Sequence, residues 1–261
     1  MTRFITVISG KGGVAKTTTA INLGVAFNQF GKEVTVVDAN LTTPNVGLYL
    51  GAPVVPINLH HVLQGKYPVS DATYMLPCGI KMVPASIALQ DLNGVKPEHL
   101  PRIIKGLDKT SDIVLIDAAA GLGREALAAI NSSDELLIVT NAELPAITDA
   151  LKTIKLAEEL GKPVIGVVLT KSRGDDLEVS VRNIEAILEK PVISVIPFDE
   201  AIREALQMKD SVVLTHSKSK SAIGYKKLAA ALLGRDYDER AAREFSFLGS
   251  IFNRLGFRKR L

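Results

Sequence analysis

The chain has 261 residues, 47% of them hydrophobic and 23% charged, which suits one large α/β domain with a sizeable core. Its single cysteine, Cys78, excludes an internal disulfide and any C-x-x-C metal or cluster site. Net charge is +3, but residues 243–261 hold five basic side chains against one acid, a local +4 that leaves the rest of the chain at −1. A nearly neutral body carries no compositional footprint for nucleic acid, while the basic tail suits an acidic surface.

Along the chain, Met-Thr-Arg leads into a short apolar run, Phe4 to Ser9. That run is too short for a signal peptide or a membrane span, so the protein is expected in the cytoplasm. Residues 3–8 read as a buried strand, followed by a Gly-rich loop and an apolar-periodic helix to about Asn28, closed by Gly31. Further strands are expected at 32–38, 80–83, 112–117, 135–140, 164–169 and 192–196. Helices are clearest at 145–160, 177–189, 199–207 and 219–233. The strands are continuously apolar and rich in Val and Ile, as strands covered on both faces are. Their alternation with helices predicts an α/β fold with a doubly wound, mostly parallel sheet. Near residue 234 the composition turns polar, so the expected organisation is a domain over 1–234, a linker over 235–243 and a terminal helix over 244–261.

The first strand is followed by Gly10-Lys11-Gly12-Gly13-Val14-Ala15-Lys16-Thr17-Thr18. Glycines let main-chain amides wrap a phosphate. Lys16 would reach the β- and γ-phosphates of ATP, the Thr17 hydroxyl would ligate Mg2+, and the helix that begins there turns its positive end to the same anion. Ala15 stands where the strict pattern has Gly, and its Cβ can crowd the loop or the phosphates. A generic Gly-rich strand-to-helix turn is the bland alternative; the second lysine, the paired threonines and the flanking strand weigh against it.

The run Lys11 to Thr18 resembles the deviant Walker A motif of the MinD/ParA family of P-loop ATPases, whose hallmark is an extra early lysine, here Lys11. Further landmarks follow in the family's order: Val37-Asp38-Ala39-Asn40, Asp117-Ala118-Ala119-Ala120-Gly121, Thr140-Asn141-Ala142-Glu143 and Ile196-Pro197-Phe198-Asp199. Leu59 to Gly65 and Pro84-Ala85-Ser86 look like the archaeal type of the MinD branch. The resemblance covers residues 2 to about 234. It implies an ATP-dependent homodimer in which Lys11 crosses to the partner's phosphates. It also implies that Asp117 and Asp38 stand by the magnesium, and that Thr170, Lys171, Pro197 and Asp199 border the adenine and ribose. Lys11, Lys16, Asp38 and Asn40 would carry the catalysis.

Two departures join Ala15. The family usually has Asp at the position of Asn40, where it positions the attacking water; an amide can orient water but is a poor general base. It usually has Pro at the position of Ala119. Nucleotide binding with slow hydrolysis is therefore expected.

In the tail, Phe245, Leu248, Ile251, Phe252 and Leu255 fall on one side of a helical wheel. Arg258, Lys259 and Arg260 form a basic cluster beyond. This pattern fits an interfacial helix on an anionic membrane and is similar to the membrane-targeting helix of MinD proteins; docking on its own domain or in a partner's groove are the alternatives. The reading is a MinD-like ATPase, peripheral on the inner face of the cell membrane when ATP-bound, that positions a structure such as the division site and answers to a protein activator or cargo. A ParA-like DNA-partitioning ATPase and an ATP-binding scaffold with little turnover are the rivals. His60 and His61 lack further ligands at metal spacing, so packing or surface roles are expected of them.

Overall fold

The computed structural model describes residues 1–237; the tail residues Phe245 to Arg260 named above lie outside them. Strands β1 (Arg3–Ile8), β2 (Val34–Ala39), β3 (Tyr74–Met75), β4 (Lys81–Val83), β5 (Ile113–Ala118), β6 (Glu135–Thr140), β7 (Val164–Ser172) and β8 (Val192–Pro197) form one sheet in the order β3-β4-β2-β5-β1-β6-β7-β8. Every neighbouring pair is parallel except β3 with β4. The helices are α1 (Lys16–Gln29), α2 (Val46–Tyr49), α3 (Leu59–Leu63), α4 (Leu100–Lys105), α5 (Arg124–Asn131), α6 (Leu144–Glu159), α7 (Val181–Leu188), α8 (Ala201–Gln207), α9 (Val212–Thr215) and α10 (Lys220–Leu232).

Both faces of the sheet are covered, as the apolar strands predicted. One core cluster packs Ile21, Leu23 and Phe27 of α1 with Tyr225 and Leu228 of α10. The other packs Ile130 of α5, Ile147 and Ile154 of α6, and Ile184 and Leu188 of α7. β2 and β5 are buried along their whole length. α1 is buried from Thr19 to Phe27, so it lies between the sheet and other helices rather than on a wet surface.

Several boundaries shift from expectation for local reasons. β7 runs on to Ser172 because it resumes pairing with Pro197 after an irregularity past Leu169. α7 starts at Val181, not 177, because the Ser180 hydroxyl caps it by accepting the Asn183 N–H. The preceding loop is wound about Glu178, whose carboxylate accepts from the Ser172 hydroxyl and the N–H groups of Arg173 and Gly174.

Chain connections leave the neighbouring strands β1 and β5 in opposite directions, from β1 to β2 through α1 and from β5 to β6 through α5. A crevice opens at such a point, outside the carboxyl ends of the strands, and open α/β sheets bind ligands there. Residues Ser9 to Thr18, Asp38 to Asn45, Asp117 to Glu125, Asn141 to Leu144 and Lys171 all gather at this edge.

Candidate functional site

The loop after β1 carries two left-handed residues, Gly13 at φ 81° and Ala15 at φ 63°. Ala15 is the N-cap of α1. An L-residue there costs about 1–2 kcal/mol, which is the physical reason glycine is the usual occupant and alanine the smallest departure. The loop is tied down from beneath. The Thr170 hydroxyl donates to the Val14 carbonyl at 2.7 Å, the Lys171 Nζ donates to the Gly13 carbonyl at 2.7 Å, and the Ser9 hydroxyl donates to the Lys11 carbonyl at 2.9 Å. Gly10 lies hard against α6: a Cβ on it would stand 2.2 Å from the Asp149 carbonyl oxygen.

Above this loop sit two carboxylates. Asp117 accepts from Lys16 Nζ at 3.0 Å and from the Thr17 hydroxyl at 2.5 Å. Both partners of the Lys16 pair are buried, so each charge depends on the other. Asp38 accepts from the N–H groups of Val46 at 2.8 Å, Asn45 at 2.9 Å and Asn40 at 3.2 Å. Burial, and then the charge of Asp117, push the Asp38 acid up to about 7 against the pull of those N–H donors. Two hard oxygen donors, a hydroxyl already in their shell and crowded negative charge fit a small divalent cation such as magnesium.

Asn40 follows at the rim. Its Nδ2 donates to the Thr43 carbonyl and its Oδ1 accepts from the Thr43 hydroxyl at 3.1 Å, so the amide is turned onto its own loop. Tyr49, from α2, reaches back to Asn22 of α1: Asn22 Nδ2 donates to the Tyr49 phenol oxygen at 3.3 Å and to the Thr18 carbonyl at 2.8 Å. Asn22 Oδ1 accepts from the Ser211 hydroxyl at 2.7 Å. No local spacing signals the bond between Asn22 and Ser211, which lie 189 residues apart.

Lys11 stands at the surface, its Nζ 3.7 Å from Glu143 Oε2, with both side chains about half exposed. The loop opens on a cleft of about 1300 Å³, above the roughly 300–1,000 Å³ usual for small-molecule sites. Gly12, Gly13, Ala15, Lys16, Thr17, Thr18, Asn40, Ala119, Glu125 and Lys171 are part of its wall. Of the four residues expected around adenine and ribose, Lys171 faces the cleft. Thr170 is 1% exposed and spends its hydroxyl on the loop. Pro197 and Asp199 stand at the end of β8, outside the cleft wall. The Asp199 carboxylate accepts from the Ser221 N–H and hydroxyl at 3.0 and 2.8 Å. Against burial, those bonds hold its acid below the usual range. Among the described residues no helix is long and apolar enough to cross a membrane.

Residues 5–212 match the CobQ/CobB/MinD/ParA nucleotide binding domain. An uncharacterized ATP-binding protein of Methanocaldococcus jannaschii is 37% identical over 255 residues, 96% of this chain and 97% of that one. The cell division ATPase MinD of Pyrococcus furiosus is 36% identical and superposes with a TM-score of 0.87, over 90% of this chain and 99% of its own. The septum site-determining protein MinD of Pyrococcus horikoshii, solved with Mg-ADP, is 34% identical with a TM-score of 0.86, over 92% and 98%.

Proposed function

The chain belongs to the CobQ/CobB/MinD/ParA family of nucleotide-binding proteins, and we propose that it is a MinD-like ATPase whose nucleotide state times its stay at a membrane. The observation that carries the reading is the convergence of Lys16 and Thr17 on Asp117 at the carboxyl ends of β1 and β5. Nucleotide and magnesium binding are family properties. In this chain Lys16 exchanges Asp117 for the β- and γ-phosphates, and Thr17, Asp117 and Asp38 hold the magnesium. A magnesium ion held there would supply charge neutralisation for the phosphates.

With the Thr43 hydroxyl on one lone pair of its amide oxygen, Asn40 has the other to orient the attacking water but cannot take its proton, so hydrolysis is slow. Lys11 leaves Glu143 to meet the phosphates held by a second copy; exposed pairs of that kind are worth only about 0–1 kcal/mol, so the exchange is easy. ATP then joins two chains. Each carries a tail over 244–261 whose apolar stripe lies in the headgroup layer, with about 1 kcal/mol from each of Arg258, Lys259 and Arg260. Two tails on one dimer gain about 100-fold or more by avidity. Hydrolysis, prompted by a protein activator, releases the dimer, and the output is the placement of a structure such as the division site.

Liposome co-sedimentation with and without ATP, using the full chain and a version ending at Gly234, tests this. ATP-dependent pelleting confined to the full chain supports it. Pelleting that ignores ATP, or survives loss of the tail, sinks it; a DNA mobility shift alongside reports the ParA-like rival.

A further inference from the structure

The Leu41 peptide is gripped from both sides. Its N–H donates to Glu125 Oε2 at 2.9 Å, the next N–H, of Thr42, reaches the same oxygen at 3.3 Å, and the Thr42 hydroxyl donates to Glu125 Oε1. Its carbonyl lies 3.1 Å from His60 Nε2, while His60 Nδ1 lies 3.0 Å from the Ser86 N–H. A carbonyl can only accept and an N–H can only donate, so the imidazole carries its proton on Nε2. His60 is fully buried. These partners come from three separate elements: the first turn of α5, the first turn of α3, and the loop after β4.

An acid in the first turn of a helix is favoured by the helix dipole wherever it points. Glu125 instead spends both carboxylate oxygens on a loop 84 residues away. It stands two residues beyond the Ala119 to Gly123 segment, whose Gly121 N–H donates to the Ser9 carbonyl at 3.0 Å at the root of the phosphate loop. The residue before Leu41 is Asn40. No step of the mechanism above uses Glu125 or His60.

We propose that Glu125 and His60 are positioning residues: by clamping the Leu41 peptide they fix where Asn40 stands and make the loops after β2 and β5 move as one. His60 supplies the fixed wall and Glu125 the moving link. A displacement of the segment 119–123 reaches Asn40 through one carboxylate, without passing through the sheet. The proposal rests on the ATPase reading for its consequence and on the hydrogen bonds alone for its existence.

The test uses the full chain with Glu125→Ala, Glu125→Gln, His60→Leu and Asn40→Ala singly, and with Asn40→Ala and Glu125→Ala together. Four quantities are read: melting temperature, affinity for Mg-ATP by titration, turnover, and hydrogen exchange of the Leu41 and Thr42 amides by NMR. Glu125→Ala and His60→Leu are expected to speed exchange at those amides and to cut turnover about 10- to 100-fold, with Mg-ATP affinity held within about threefold, the pattern of a transition-state loss. Glu125→Gln, which keeps an acceptor for both amides, recovers most of the rate. The double variant is no slower than the slower single, because both changes act through one loop. Unchanged exchange at Leu41 and Thr42 in Glu125→Ala overturns the clamp; so does a parallel fall in affinity and turnover that Gln does not rescue. A wild-type chain that binds but does not turn over ATP ends the ATPase reading, and the exchange data then judge the clamp by themselves.

Discussion

Asp38 and Asp117 are register partners on adjacent parallel strands, β2 and β5, and both are completely buried. Two carboxylates in that relation cannot both ionise cheaply without a cation between or beside them. Lys16 serves Asp117, which leaves Asp38 with backbone N–H donors alone.

The first prediction follows from that asymmetry. Folding raises the Asp38 acid from 3.8 to about 7. Between those values the folded chain keeps a proton that the unfolded chain has lost, so this group stabilises the fold at low pH and the contribution fades as pH rises through about 7. A bound divalent cation favours the carboxylate and expels the proton. Mg-ATP affinity should therefore climb with pH and level off above about 7. Calorimetric titration at about pH 6, in two buffers of different ionisation enthalpy, should show proton release that shrinks by about pH 8. Equal heats in both buffers at the lower pH would contradict the assignment.

Ala15 offers a test of strain. At φ 63° a Cβ is tolerated and not preferred. Ala15→Gly removes the clash but adds freedom to the unfolded chain, worth about 0.4–1 kcal/mol the other way. The net gain should be up to about 1 kcal/mol, a rise in melting temperature of about 2–4 °C. Ala15→Val, β-branched in a region such residues avoid, should melt well below the parent. Identical melting of all three chains would mean the loop relaxes without cost.

How much of this was legible in the sequence depends on distance along the chain. The phosphate loop, the strand-end acids and the doubly wound sheet rest on contiguous residues, and they appear where the pattern put them. β3, two residues long, is too short to show a period of two. Glu125 and His60 hold Leu41 from 84 and 19 residues away and Asn22 takes Ser211 from 189 residues away, and no spacing rule links such pairs. Thr170 is the instructive case: it sits beside the nucleotide edge, but a left-handed loop needed an anchor for the Val14 carbonyl, and the hydroxyl went there. The aromatic tail lies beyond residue 237, so its role is carried by its pattern alone.

Two glycines of the loop should separate structure from binding. Gly10→Ala forces a Cβ to 2.2 Å from the Asp149 carbonyl oxygen, and neither backbone can yield without moving α6. Overpacking of that kind costs about 1–3 kcal/mol, seen as a lower melting temperature. At Gly12 nothing lies within 4 Å of an added Cβ, and the residue borders the cleft. Gly12→Ala should thus melt within about 0.5 kcal/mol of the parent while binding Mg-ATP more weakly. If both variants lose stability alike, the close approach of Gly10 to α6 is not what makes a glycine necessary there.

Asn40→Asp addresses the chemistry. The amide now gives its Nδ2 hydrogen to the Thr43 carbonyl and takes the Thr43 hydroxyl on Oδ1. A carboxylate loses the first bond, because its oxygen would face the Thr43 carbonyl, and in turning from that carbonyl it gives up the Thr43 hydroxyl as well. That repulsion turns the side chain away from its own loop towards the cleft it borders. There it can accept a proton from water, an effect worth about 10²–10⁴-fold where a general base is well placed. The rotation and the Leu41 clamp take part of that gain, so the expected rise in steady-state turnover is about tenfold or more, with Mg-ATP affinity little changed. Faster turnover in the Asp variant means that the natural asparagine slows the clock. Unchanged turnover with intact binding means that the water is not reached from this position, and the chain is then better described as a scaffold that uses ATP to hold a shape.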